Sequence, residues 1–481
     1  MLTITRRKAL SDIGILAGVS LLSGCAVNPV TGKRQFMIMS EQKEINMGSQ
    51  AHGEIVAQYG SYSDDSLQKW FDDRGQEMSK VTHRSNLTWH FTVLDSPVIN
   101  AFAVPGGYVY VTRGILGYFN DEAQLAGVLG HELGHVTARH TAARYSKAKF
   151  ANIGLALGSI VSEEFAKYSQ LASLGTSLLF LKFSRNDERE ADKLGVEYSS
   201  KVGYDAAQVS EFFRTLERLH PKGGSLPAWQ STHPDPGDRI NATRKQALDF
   251  QKKQSDMKFM VKREEYLDLI EGLIFDEDPR QGYAKDNIFY HPEMKFQFPV
   301  PGNWNVSNMP AEVRMAPEKQ NAVLIFSHVP GADPRNAADM FSQKNNVSVS
   351  NSTAITVNGM NANKTVGVMS SGEQSIGISS YYIKMDDKVF AFHGLASQEE
   401  FDGYTAQFED SAHGFNRLTD QSKINVSPKK INVRKAQANT TLKKAFNGFG
   451  VPEDELERLA VINGMELTDT LDAGTRIKIV L

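Results

Sequence analysis

His131-Glu132-Leu133-Gly134-His135, inside the run Asp121 to Tyr145, decides how this chain is read. Two histidines four residues apart on a helix project from one face a turn apart, so both imidazoles can reach a single ion. The glutamate after the first histidine then stands beside that ion. In this H-E-x-x-H arrangement His131 and His135 bind zinc as neutral imidazoles, and Glu132 serves as general base toward water. The flanking residues read as one helix. Asp121 caps it, Gln124 holds the capping-box position, and Leu125, Val128 and Leu129 supply its buried side. Gly130 and Gly134 each cost roughly 1 kcal/mol against alanine inside a helix. Four residues apart, they form a smooth strip with room for a second helix or a substrate backbone.

The third ligand has to come from further along. In metzincins a third histidine follows the second by six residues; here that position is Thr141, and His140 is one residue short of the register. His140 reads as a helix-end residue or one that backs a ligand. Two apolar stretches follow, Phe150 to Val161 and Leu171 to Phe183, too short to cross a membrane comfortably and readable as a helical hairpin over the catalytic helix. Next, Ser184-Arg185-Asn186-Asp187-Glu188-Arg189-Glu190-Ala191-Asp192 places Glu188 and Asp192 one turn apart on one helix face. One carboxylate can ligate the metal while the other orients a ligating histidine through its outer nitrogen. Glu190 rivals Glu188, because sequence does not fix the helix phase.

The chain has 481 residues, 41% of them hydrophobic and 23% charged, an ordinary globular composition with length for roughly two to four domains. A formal net charge of -3 without long basic runs leaves no footprint for nucleic acid. At the amino terminus, Arg6, Arg7 and Lys8 precede an apolar run from Ile13 to Leu22 and then Ser23-Gly24-Cys25. That is a basic, then apolar, then small-residue export signal. It resembles a bacterial lipoprotein signal over residues 1–25 with Cys25 lipidated. Cys25 is the sole cysteine, so the chain forms no internal disulfide. Ala26 after the cysteine resembles the outer-membrane sorting pattern. Thr5-Arg6-Arg7 faintly resembles a twin-arginine signal, although Asp12 intrudes, so the export route stays open.

Ser40 to Tyr59 has helical spacing, while Trp89 to Asp95 and Ala101 to Thr112 are rich in β-branched and aromatic residues and read as strands. Pro105-Gly106-Gly107 marks a bend or an edge, either a hairpin corner or a site where an extended peptide pairs.

His131 to His135 followed by Glu188 to Asp192 resembles the gluzincin peptidases of the HtpX and CAAX prenyl protease superfamily. The likeness is nearest to the soluble periplasmic, BepA-like branch, matched also at Asn28 to Arg34, Asn100 to Gly107, His131 to His140 and Thr232-His233-Pro234. It spans roughly residues 26 to 280. The resemblance implies His131, His135 and Glu188 as ligands of one Zn2+, Glu132 as catalytic base and Asp192 as the residue behind a ligand. It also implies that His233 approaches the zinc as a candidate fourth ligand and that Arg239 lies near the site, where either can assist the oxyanion. Zinc with four protein ligands keeps no open position. Such a site is latched until the loop with Pro234 and Pro236 moves.

The expected fold class is α+β: a mainly helical zincin-type metallopeptidase domain with a small edge sheet over residues 26–280, followed by two modules. Residues 285–420 carry strand patterns at Phe296 to Val300, Ala322 to His328, Ile378 to Met385 and Val389 to His393, with helices at Ala337 to Lys344 and Gln398 to Phe408. They weakly resemble a PsbP-like α/β sandwich, in which His291, His328 and His393 are structural. A linker over 421–432 leads to residues 433–481, which resemble a LysM-like module in strand-helix-helix-strand order. That likeness implies peptidoglycan binding, although the usual tyrosine-rich opening strand is missing. The expectation is a zinc endopeptidase tethered by lipid in the periplasm, at the inner leaflet of the outer membrane, acting on unfolded or misfolded envelope proteins. The alternative is an assembly factor or chaperone whose zinc site stays largely latched.

Overall fold

The computed structural model describes residues 25–37, 39–151, 182–219, 228–233, 239–254, 256–371 and 374–481. The signal segment before Cys25, the apolar stretches across 152–181, and Pro234 with Pro236 lie outside the described residues. No described helix is long and apolar enough to cross a membrane. The chain forms two compact units: Met1–Val56, Ser61–Leu273 and Lys430–Leu481 make the first, Ala57–Gly60 and Ile274–Lys429 the second.

In the first unit, Cys25–Val27 pairs with Arg34–Phe36. The chain then enters α1 (Glu41–Tyr59), α2 (Asp65–Ser79) and a three-stranded sheet of β1 (His90–Leu94), β2 (Ala101–Val104) and β3 (Tyr108–Thr112). Strand order is β1-β3-β2, with β1 parallel and β2 antiparallel to β3. Ala101 to Thr112 is broken in two because Gly106 and Gly107 take φ of +86° and +94°, a turn that side-chain-bearing residues resist. β2 is consequently a sheet edge.

The motif lies on α3 (Glu122–Thr137), every residue of which is buried. A helix enclosed on all sides belongs at the centre of a core. Asp121 caps it by accepting from the Gln124 amide at 2.8 Å, and the Gln124 side chain reaches back to the Asn120 amide at 2.9 Å. After Thr137, Arg139 takes φ +60° and turns the chain into α4 (His140–Ala151). α5 (Arg185–Lys201) lies along α3 at the glycines: a Cβ on Gly130 would stand 2.9 Å from the Gly195 carbonyl oxygen, and one on Gly195 3.0 Å from the His131 nitrogen. The smooth strip therefore receives a helix. α6 (Val209–Arg218), α7 (Ala228–Thr232), α8 (Arg239–Gln251) and α9 (Arg263–Leu269) follow.

Burial pushes the Asp121 carboxyl up to about 6, against the pull of the Gln124 amide, Arg263 and Lys478. A folded pKa above the usual 3.8 favours the protonated folded state, so this stability is present below about pH 4 and lost as pH rises through about 6, roughly 3 kcal/mol in all. Asparagine caps as well as aspartate and carries no charge. Asp121→Asn is expected to melt above the parent near pH 8 and with it near pH 4; a lower melting temperature near pH 8 would refute this account.

The second unit centres on β4 (Trp304–Met309), β5 (Glu312–Pro317), β6 (Ala322–Val329), β7 (Val347–Val357), β8 (Met360–Ser371), β9 (Gln374–Met385) and β10 (Lys388–Ser397). They form a seven-stranded antiparallel sheet in the order β7-β8-β9-β10-β6-β5-β4. α10 (Pro334–Lys344) packs Ala337 and Ala338 against Tyr382, Val389 and Ala391, while α11 (Phe401–His413) adds Phe401 and Phe408 to a core with Phe296, Phe298, Phe326, Phe390 and Phe392. His291 and His393 are pushed down to about 4 by burial, as suits neutral packing residues.

The carboxy-terminal segment folds with the first unit. β11 (Ile431–Lys435), α12 (Leu442–Gly448), α13 (Leu456–Ile462) and β12 (Arg476–Val480) run in strand-helix-helix-strand order, the two strands antiparallel. Lys478 is fully buried and donates to the carbonyls of Gly117 at 2.9 Å and Phe119 at 2.8 Å, just before the cap of α3. Arg476 pairs with Glu264 and Asp268 of α9, and Arg218 donates to the Met465 carbonyl.

Candidate metal centre

The start of α5 sets the site. Ser184 and Asp187 form a reciprocal capping box, with Asp187 N donating to Ser184 Oγ at 3.3 Å and Ser184 N to the Asp187 carboxylate at 2.9 Å. With the phase fixed this way, Glu188, Ala191 and Asp192 are buried, while the Glu190 side chain keeps 26% exposure. Among the described residues, His131, His135, Glu188 and His233 are the ones whose donor atoms gather, all within 4.8 Å of one another.

Their spacing is that of a ligand set. His131 Nε2 lies 3.0 Å from His135 Nε2, 3.2 Å from His233 Nδ1 and 3.5 Å from Glu188 Oε2. Glu188 Oε1 lies 3.1 Å from His233 Nδ1 and 3.5 Å from His135 Nε2. Tetrahedral ligands about 2.0–2.1 Å from zinc stand roughly 3.3 Å from one another. His233 Nδ1 and Glu188 Oε1 stand at hydrogen-bond distance, 3.1 Å, but other donors are bare. His131 Nδ1 donates outward to Asp192 Oδ1 at 2.9 Å, which leaves a lone pair on its inner Nε2, and Glu188 Oε2 is buried without a hydrogen-bond partner among the described residues. Buried lone pairs that face one another are costly unless a cation lies among them. Imidazole and carboxylate donors at this spacing fit Zn2+.

Glu132 stands beside the donors. Its Oε1 accepts from Trp229 Nε1 at 3.2 Å and lies 3.6 Å from His233 Nε2. Burial pushes its pKa up, with His233 and His131 pulling the other way, so it can accept a proton closer to neutrality than an ordinary carboxylate. Burial would also raise Glu188, yet His233, His131 and Arg239 hold it below its usual value. His135 is driven well down by burial and by the neighbouring histidines, which keeps it neutral, as a ligand must be.

Asp192 and Arg239 form a pair behind the donors. Arg239 Nη2 is 2.6 Å from Asp192 Oδ1 and its Nε 3.0 Å from Oδ2, while the guanidinium lies over Phe213 at 4.2 Å and Trp229 at 4.6 Å. Burial alone would raise Asp192, but Arg239 and His131 bring it down to about 2. Arg239 was expected near the site; it stands there braced against Asp192, its Nη2 3.7 Å from Glu188 Oε2.

Two aromatic rings close over the cluster. Trp229 stacks on His233 with centroids 4.9 Å apart, and Phe183 lies 3.9 Å from the His135 ring and 5.3 Å from that of His233. Sequence reasoning missed both. The available signal was spacing, since Trp229 and His233 are four apart and the His233 amide donates to the Trp229 carbonyl at 2.9 Å, one helical turn. His140 lies outside the donor group, with Nδ1 3.0 Å from the outer nitrogen of His135 and Nε2 3.2 Å from Glu190.

Residues 65–247 match peptidase family M48, a span that contains every one of these side chains. The chain is similar to the mitochondrial metalloendopeptidase OMA1 of Arabidopsis thaliana, 28% identical over 236 residues that cover 48% of this chain and 45% of that one. With the OMA1 of Schizosaccharomyces pombe the identity is 31% over 220 residues, covering 44% of this chain and 63% of the relative. With the beta-barrel assembly-enhancing protease of Escherichia coli (strain K12) it is 27% over 228 residues, 46% of this chain and 47% of the relative. The chain spans about half the length of the curated relatives it matches.

Proposed function

With residues 65–247 forming a peptidase family M48 domain, we propose that the protein is a zinc-dependent endopeptidase of the bacterial cell envelope that hydrolyses misfolded or stalled envelope proteins. The observation that carries the reading is the buried group His131, His135, Glu188 and His233 with Glu132 beside it. His131, His135 and Glu188 would hold the ion. Bound there, zinc supplies Lewis acidity that brings a water's pKa toward neutrality and draws charge from a peptide carbonyl. Glu132 takes the water's proton on its carboxylate and returns it to the leaving amine, a role its raised pKa suits. Asp192, held by Arg239, keeps His131 in the tautomer whose Nε2 faces inward.

His233 acts as a latch in this reading. Seated among the other donors, it occupies the position a substrate carbonyl or water would need. The turn that carries it also brings the Trp229 donor onto Glu132, so one movement of α7 frees both the ion and the base. His233→Ala is expected to raise casein cleavage several-fold at unchanged zinc content. Unchanged or abolished cleavage would remove the latch from the proposal.

The expected localisation belongs to the same proposal: Cys25 lipidated, the chain in the periplasm at the inner leaflet of the outer membrane. The second unit would serve as a PsbP-like docking module and residues 433–481 as a LysM-like module able to bind peptidoglycan. The rival reading, an assembly factor or chaperone with a closed zinc site, draws on the same burial of all four donors, each at most 1% exposed. Metal content and casein cleavage, measured on the full mature chain before and after chelation, test the enzyme. One zinc per chain, with cleavage lost on removal and restored by Zn2+, is expected; zinc without cleavage, even in His233→Ala, would favour the chaperone.

A further inference from the structure

His131 and His135 must both turn a bare Nε2 inward to bind the metal, which requires each Nδ1 to carry the proton. For His131 the reason is direct, since Nδ1 faces the Asp192 carboxylate at 2.9 Å. Among the described residues, His135 has no carboxylate at its outer nitrogen. It has His140, whose Nδ1 lies 3.0 Å from His135 Nδ1, and beyond it Glu190, whose Oε2 lies 3.2 Å from His140 Nε2. Two nitrogens at hydrogen-bond distance need one donor and one acceptor, and the far end of the chain determines which is which. A carboxylate only accepts, so His140 donates to Glu190 through Nε2. With its Nε2 donating to Glu190, His140 can accept at Nδ1 from His135, and that arrangement leaves His135 Nε2 bare toward the donor group.

We propose that His140 and Glu190 are a positioning pair that holds His135 in its metal-binding tautomer, doing through one intervening imidazole what Asp192 does directly for His131. The supports are built in. His140 is 4% exposed and is the first residue of α4, aimed by the left-handed turn at Arg139. The Arg139 side chain is anchored to the buried Glu44 and to the Met39 carbonyl. On the other side, Arg144 of α4 pairs with Asp187 of the α5 capping box at 3.2 Å, which keeps His140 and Glu190 on helices tied to each other. The pair also gives a place to His140, which the sequence leaves as a helix-end residue or one that backs a ligand, and to Glu190, which it leaves as a rival ligand: both stand behind His135.

This inference rests on the zinc reading above. The test uses the full mature chain and its variants His140→Leu, His140→Asn and Glu190→Gln. Zinc affinity is read by chelator competition, and the Co2+-substituted spectrum reports the ligand set. Removing a hydrogen-bond partner behind a metal ligand typically costs about 10–100-fold in affinity. His140→Leu is expected to fall in that range and to alter the Co2+ spectrum. His140→Asn, whose carbonyl oxygen can accept from His135 Nδ1, should recover most of the affinity. Glu190→Gln, on a side chain partly open to solvent, should leave folding intact and lie between the two. Affinity for His140→Leu within about two-fold of the parent, or equal losses in His140→Leu and His140→Asn, would overturn the pair. Should the parent itself bind no stoichiometric zinc, the metal centre has failed and the pair with it.

Discussion

Glu132→Gln is expected to keep one zinc per chain and to lower casein cleavage by about 10²–10⁴-fold, the range that a positioned general base contributes. Retention of the metal follows from geometry. Glu132 is absent from the donor group, and its contact with Trp229 is made through Oε1, an oxygen that glutamine also presents. Loss of cleavage follows because an amide cannot take a proton from water near neutral pH. The same substitution in His233→Ala should erase any gain from opening the latch, since an accessible ion without a base is still slow. A Glu132→Gln chain that holds zinc and cuts at the parental rate would defeat the assigned mechanism.

The parts of the site that could be read from sequence are those whose partners are close in the chain. The helical spacing of His131, Glu132 and His135, the cap at Asp121 and the glycine strip needed only local geometry, and Gly130 does receive α5 through Gly195. Helix spacing alone leaves Glu188 and Glu190 open, since both lie within a turn of Asp192, and it is the family resemblance that favours Glu188. The Ser184–Asp187 capping box sets the start of α5 so that Glu188 joins the donor group, a feature visible in the sequence but usable only once the helix start is known. Phe183 stayed hidden because the His135 ring it covers lies about 50 positions away along the chain, and Trp229 because its bond to Glu132 spans about 100, although its four-residue spacing to His233 was open to view. In the second unit, β7 went unrecognised for a different reason: it is an edge strand of mostly exposed serine, threonine and asparagine, without the alternation that a buried face imposes. The docking of the carboxy-terminal segment draws in part on Lys478, an ordinary mid-strand lysine until the Gly117 and Phe119 carbonyls are found around it.

Asp192→Ala is expected to be the most damaging single change to the fold of the centre, and it separates metal affinity from stability. The carboxylate is the near, two-bond partner of Arg239, which is 5% exposed, while the carboxylate of Glu188 stands farther off at 3.7 Å. Removing one partner of such a pair costs about 3–5 kcal/mol, whereas replacing both by apolar residues is often neutral. Asp192→Ala should therefore lose stability in that range, and the double variant Asp192→Leu with Arg239→Met should regain most of it. Zinc affinity should not follow, because both chains lack the acceptor that fixes His131 Nδ1 and should bind about 10–100-fold more weakly than the parent. Acidity points the same way with a smaller magnitude. A folded pKa of about 2 against the usual 3.8 means the carboxylate contributes roughly 2 kcal/mol above about pH 4, lost as pH falls through about 2. The metal-free parent should thus lose its advantage over Asp192→Ala as the solution is acidified, while the double variant keeps its own stability across that range. A double variant no more stable than Asp192→Ala would mean that Asp192 supports the fold through something other than the buried charge of Arg239.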